Sequence, residues 1–283
     1  MTGFHETAPA AIACALGFGM ILGILCSLKS FLSKKMEIPE QRVGRWISAA
    51  QTALIPFMFL SGLMTDYWGA RGTLVAGSLL AGLAFFGLSL SREVWATWLS
   101  LGFVSLGGSA LSVGAIALMP RAFLGNNAAS ANLGLVFVPL AALMTGGFMP
   151  VILGRLEMRR ALSLLAIFCL VPAFVVTMTP GEAFPQATAP AGPSRILGDP
   201  VLWLVSLAFL LYSPIEGSLG SWGSTYLTQL GFSERRADLL VAGFWWTFLG
   251  SRLAAAFLEY RFVRDAEPWV IIVLACLAAI TVG

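Results

Sequence analysis

"GLMTDYWGAR" occupies residues 62–71, between two long apolar runs. It carries an aspartate and an arginine, with glycines setting off the charges. The flanking runs, near 43–64 and 73–91, matter as much as the turn itself. A bilayer core of about 30 Å takes roughly 20 helical residues to cross, and each run is of that size. A charged turn between two such runs sits where water is available.

Similar runs lie near 8–31, 94–119, 131–154, 159–178, 200–227, 237–258 and 268–283. Backbone groups in lipid must be satisfied within the segment, so these runs are expected to be helices. Barrel strands would be shorter and would alternate in polarity. Composition agrees: hydrophobic residues make up 58% and charged residues 11%, against about 25% charged in soluble domains. Mean hydropathy is +0.86. The sequence thus predicts an all-α polytopic membrane protein with the lipid bilayer as its solvent. Residues 1–7 lack the basic start of a signal peptide, and the first apolar run is too long for a signal core, so it reads as a retained helix. The last run, 268–283, would span only roughly 24 Å at about 1.5 Å per residue. The chain is therefore expected to be incomplete at that end.

The formal net charge of +3 is mild and scattered, which argues against a nucleic-acid partner. Cys14, Cys26, Cys169 and Cys276 sit singly in apolar runs and read as small packing residues. The one histidine, His5, lies in the N-terminal tail. No metal site and no cofactor is expected.

The longest connection, "TPGEAFPQATAPAGPSRILGDP" at 179–200, is rich in helix breakers and reads as a linker. It separates a six-helix bundle, 1–178, from a partial bundle of about three helices, 200–283, with 179–199 between them. A weak repeat supports the division. "LSKKMEIPEQRVGRWISA" from Leu32 aligns without gaps to "YLTQLGFSERRADLLVAG" from Tyr226, each bridging the first and second helix of its part. Internal repeats of this kind mark many secondary transporters.

The opening stretch fits G-x-x-x-D-x-x-G-x-R through Gly62, Asp66, Gly69 and Arg71. It resembles the signature loop between helices two and three of the major facilitator superfamily, and it stands in the matching place. The resemblance covers nearly the whole chain and implies that family's fold, with a six-helix first half and an incomplete second half. It implies a gating role for the four motif residues. Gly62 would allow close helix contact, and Gly69 a tight turn with positive φ. Asp66 would meet a helix N-terminus of the opposite half, and Arg71 nearby acidic partners. The plain alternative is an ordinary polar turn. The equivalent loop of the second half, "AFLEYRFVRD", has Ala256 and Tyr260 at the Gly62 and Asp66 positions, so the motif has decayed there. A narrower resemblance to fucose-permease-like sugar transporters rests on Tyr212, Glu216, Trp222 and Tyr226, and on Asn132 and Pro150.

Glu216 is the main candidate for contact with substrate or proton. It lies deep in an apolar run beside Pro214 and Gly217, and an intramembrane carboxylate is costly unless it faces a cavity or a partner. Arg252 is the second, with pairing, anion binding or snorkelling as its options. Trp222, Tyr226, Trp245 and Trp246 are candidates to stack on a ligand, although aromatics also build interface belts. Gln51 and Asn132 either line a cavity or bond between helices. "GGSALSVGAIALMP" in the fourth run suits close helix packing.

The function expected is a secondary active or facilitative transporter of a small solute by alternating access, with a proton or another ion as the coupling partner in the active case and the chain acting as a monomer. The alternative is a non-transporting sensor or assembly subunit on the same fold. Enzymatic function is not expected, since no metal motif, Ser/His pair or paired intramembrane aspartates occur. The resemblance places the N-terminus in the cytoplasm, at the plasma (inner) membrane. The positive-inside rule points the other way: the loops after runs one, three, five and seven carry 11 cations, and the opposite side 5 or 6.

Overall fold

The computed structural model describes residues 6–123, 127–145, 156–185 and 198–261. All regular structure among them is helical. The helices are α1 Ala8–Met36, α2 Glu40–Leu90, α3 Val94–Ala122, α4 Asn127–Leu135, α5 at 137–145, α6 Met158–Met178, α7 Pro200–Gln229 and α8 Glu234–Arg261. The ninth run, 268–283, lies outside the described residues. The fifth run corresponds to α4 and α5, and its last part is likewise outside them.

α2 joins the two runs that flank the opening stretch. Its 51 residues would reach about 77 Å at about 1.5 Å per residue, more than twice a bilayer core. It is not one span. Gly69 adopts φ 76° and ψ 161°, which ends one helix and starts the next. Contacts with α3 show that the chain turns back there. Before Gly69, the Ser105 hydroxyl donates to the Ala50 carbonyl at 2.7 Å and Ser109 to that of Leu54 at 3.1 Å, so this part runs parallel to α3. After Gly69, Leu74 meets Gly114, Gly77 meets Ala110 and Gly87 meets Ser100, so this part runs antiparallel to it.

Small residues bring these backbones together. A Cβ at Gly107 would lie 2.7 Å from the Ala81 nitrogen and the Gly77 carbonyl oxygen. Such closeness is how helices associate where lipid offers no hydrophobic drive. α1 sits at the centre, with Ile21, Ile24, Leu25, Leu28 and Leu32 fully buried. Its Gly19 and Gly23 meet Val138 and Ala142 of α5, and a Cβ at Gly19 would collide with the Val138 carbonyl. α6 carries Pro172, which has no N–H to donate. One residue on, a neighbour's hydroxyl joins the helix ladder. The Ala173 N–H donates to Ser78 Oγ at 2.9 Å, and that hydroxyl donates to the Cys169 carbonyl at 2.5 Å.

The repeated turns match in backbone detail. Glu37 and Gly231, aligned in the sequence, both have positive φ, 54° and 92°. The Ile38 N–H donates to the Ser33 carbonyl at 3.2 Å, and the Phe232 N–H to that of Leu227 at 3.1 Å. Both turns reuse one helix-terminating device with a left-handed residue. Beside the first turn, Lys35 Nζ donates to the Leu88 carbonyl at 3.0 Å, a cation at the C-terminal end of α2. Burial, and to a lesser degree Arg92, pull the Lys35 ammonium below the ordinary lysine value.

Candidate functional site

The first six-helix part meets α7 and α8 along a seam that is polar at both ends. At one end, α1 finishes, α2 begins, and α7 turns into α8. Lys29 sits here with its side chain 14% exposed. Its ammonium donates to Thr225 Oγ1 at 2.6 Å, lies 3.4 Å from Glu40 Oε1, and stands 4.8 Å from the centre of the Trp222 ring. The Trp222 indole N–H donates to Ser48 Oγ at 3.0 Å. Gly44 makes room for this ring: a Cβ there would be 2.6 Å from Trp222 Cη2. Around them lies a cleft of about 350 Å³, with Glu40, Glu234 and Asp238 on its walls.

One turn deeper on α2, Gln51 is half-buried and faces α7. Its Oε1 would lie 3.9 Å from a Cβ at Gly217, the residue next to Glu216. α7 carries Glu216 and Tyr212 in its helix, but their side chains lie outside the described ones.

At the other end, α4 meets α8. Asn132 Nδ2 donates to both carboxylate oxygens of Glu259, at 3.0 and 2.8 Å. Arg252 Nη1 donates to Asn132 Oδ1 at 3.2 Å, and its guanidinium stands 5.1 Å from the Phe248 ring centre. Asn132 thus links a cation and an anion of α8 through one amide. Trp245 is 9% exposed and packs edge-on against Phe244 and Phe248. Trp246 and Tyr226 are each 61% exposed. The structure brings Trp222 to the seam and does not gather the four aromatic candidates around one cavity.

In the opening stretch, Gly69 has the positive φ the turn requires. Arg71 Nη2 donates to the Thr177 carbonyl at 3.0 Å, at the C-terminal end of α6. Its guanidinium lies 5.9 Å from the Phe184 ring centre. Its partners among the described residues are thus a helix end and a ring, where acidic ones were expected. Asp66 is half-buried, and its side chain makes no hydrogen bond or ion pair among the described residues. A Cβ at Gly62 would meet nothing within 4 Å, so the close helix contact expected of it is not formed among those residues.

Sequence reasoning passed over Lys29, Ser48, Gly44 and Thr225 at one end and Glu259 at the other. Two signals were present. Lys29 lies inside the first apolar run, where a charge marks a partner or a site. Glu259 stands seven residues after Arg252, on the same helix face.

No curated protein matches the chain in sequence. The sequence matches the Major Facilitator Superfamily over residues 8–283. Among solved structures, the fold is similar to a peptide transporter crystallised with alafosfalin, at 15% identity and TM-score 0.56, over 77% of this chain and 48% of that one. It is also similar to a D-xylose–proton symporter, at 13% identity and TM-score 0.63, over 91% of this chain and 69% of that one. The chain therefore spans about half the length of the peptide transporter.

Proposed function

Because the chain belongs to the Major Facilitator Superfamily, and is thus an integral multi-pass membrane protein, we propose that it forms part of a transporter that moves a small solute by alternating access. The moving units are residues 1–178 and 200–283, joined by the linker 179–199. One observation carries the reading: polar cross-links join the two units at both ends of one seam, through Trp222–Ser48 and Lys29–Thr225 at one end and Asn132–Glu259 at the other. Polar links of this kind at the two ends of a seam are ones that rocking of the two units would break in turn.

Between the ends lie Gln51 and the α7 turn that bears Glu216. We assign substrate or proton contact to Glu216, with Gln51 and Trp222 as further candidates. Arg252 and Asn132 serve the far end of the seam, while Trp245, Trp246 and Tyr226 are the lesser candidates. A proton or another ion is the proposed coupling partner. The Gly62–Arg71 turn is proposed as the gating element on the side of the N-terminus, which is taken as cytoplasmic at the plasma (inner) membrane, and the chain acts as a monomer. Glu216→Gln tests the reading. Solute uptake should be abolished while the protein remains in the membrane at wild-type level. Unchanged uptake removes Glu216 from the mechanism, and no solute flux from wild-type protein in vesicles removes transport by this chain.

A further inference from the structure

We propose that Trp222, seated over Gly44 and tied by Lys29 and Ser48, is the latch that holds the α1–α7 end of the seam closed. The inference rests on the alternating-access reading and names the residues that gate one end of it.

Three features single out this cluster. First, its links cross between the two units: Lys29 reaches Thr225 and the Trp222 ring, and the Trp222 N–H reaches Ser48. Second, breaking it leaves no buried charge alone. Glu40 belongs to the same unit as Lys29 and lies 3.4 Å from it, so the ammonium keeps a counter-charge when α7 moves away. A buried charge stripped of its partner would oppose opening strongly. The Glu40 side chain is 53% exposed, so water reaches the pair. Third, the fit is steric as well as polar. A single methyl at Gly44 would fall 2.6 and 2.8 Å from two atoms of the indole and 3.3 Å from Lys29 Cδ. It would wedge apart both side chains of the latch at once.

This last point makes Gly44→Ala a discriminating variant. Alanine favours helix over glycine but would here meet the indole, so the unfolding temperature does not separate the readings; a Gly44 with no part in closure predicts no change in access at the seam. A latch predicts opening. The readout is a cysteine at Gln51, one turn deeper than Ser48, in a background with all four native cysteines replaced by serine. A membrane-impermeant maleimide is applied from the side bearing the α1–α2 turn. Gly44→Ala and Lys29→Met should each label roughly ten-fold faster than the parent, the fold-change expected from losing one hydrogen bond to a charged group. Lys29→Arg should return the rate toward the parent's. Unchanged labelling in folded Gly44→Ala overturns the latch, and that variant suffices where Lys29→Met fails to fold. Labelling is read without substrate, so a latch that fails while vesicles show flux is distinct from a transport reading that fails.

Discussion

Gly69 holds a backbone conformation, φ 76° and ψ 161°, that is essentially confined to glycine. Gly69→Ala is expected to destabilise the protein by about 1–3 kcal/mol, seen as a lower unfolding temperature in detergent. The neighbouring Arg71 acts as a cation at the end of α6 through the Thr177 carbonyl, a contribution of about 0.3–1 kcal/mol. Arg71→Ala should therefore cost less than Gly69→Ala in the same measurement. The need for glycine at 69 was legible, because a charged turn between two spans must reverse the chain. The Arg71 contact was not, because its acceptor is a carbonyl 106 residues away, and a backbone carbonyl leaves no mark in the side-chain sequence.

α6 shows how elements complete one another. Pro172 cannot donate a ladder hydrogen bond, and the Ser78 hydroxyl inserts beside it, taking the Ala173 N–H and giving to the Cys169 carbonyl. Ser78→Ala would remove both bonds, leaving the Ala173 N–H and the Cys169 carbonyl only each other as partners beside Pro172. We expect a loss of about 1–3 kcal/mol in thermal unfolding, with Ser78→Thr milder if its hydroxyl keeps the same place. The α1–α5 contact is stricter. Gly19→Val should collide with the Val138 carbonyl and lower the yield of folded protein, read by size-exclusion chromatography. The helical character of the first eight runs, where described, could be read from hydropathy, and so could the role of small residues in the fourth. The joining of two runs through Gly69 and the division of the fifth at Val136 could not, because both depend on local backbone angles within continuous apolar sequence.

Across the whole molecule, the seam decides behaviour. Asn132→Leu removes the amide that joins Arg252 and Glu259 to α4. It should weaken that end by about 1–3 kcal/mol, measured as faster proteolysis in the 179–199 linker and a lower unfolding temperature. The exposed cations Arg42, Arg45, Arg159, Arg160, Arg235 and Arg236 crowd the end of the molecule that bears Lys29. With the N-terminus cytoplasmic, this crowded end lies on the opposite side, and a reporter enzyme fused ahead of α1 should read as cytoplasmic. The opposite reading would give the charge count precedence over the family pattern.

By itself, the sequence determined that the chain lives in lipid, that its spans are helices, where the charged turn falls, and which family it resembles. These follow from composition and period, which act locally along the chain. Only the tertiary structure decided which polar residues face one another: Lys29 with Trp222 and Thr225, Asn132 with Arg252 and Glu259, and Ser78 with the backbone of α6 at Cys169 and Ala173. Those partners stand 91 to 196 residues apart. Nothing local specifies them, because each side chain becomes affordable in the membrane only once packing brings its partner within hydrogen-bond reach.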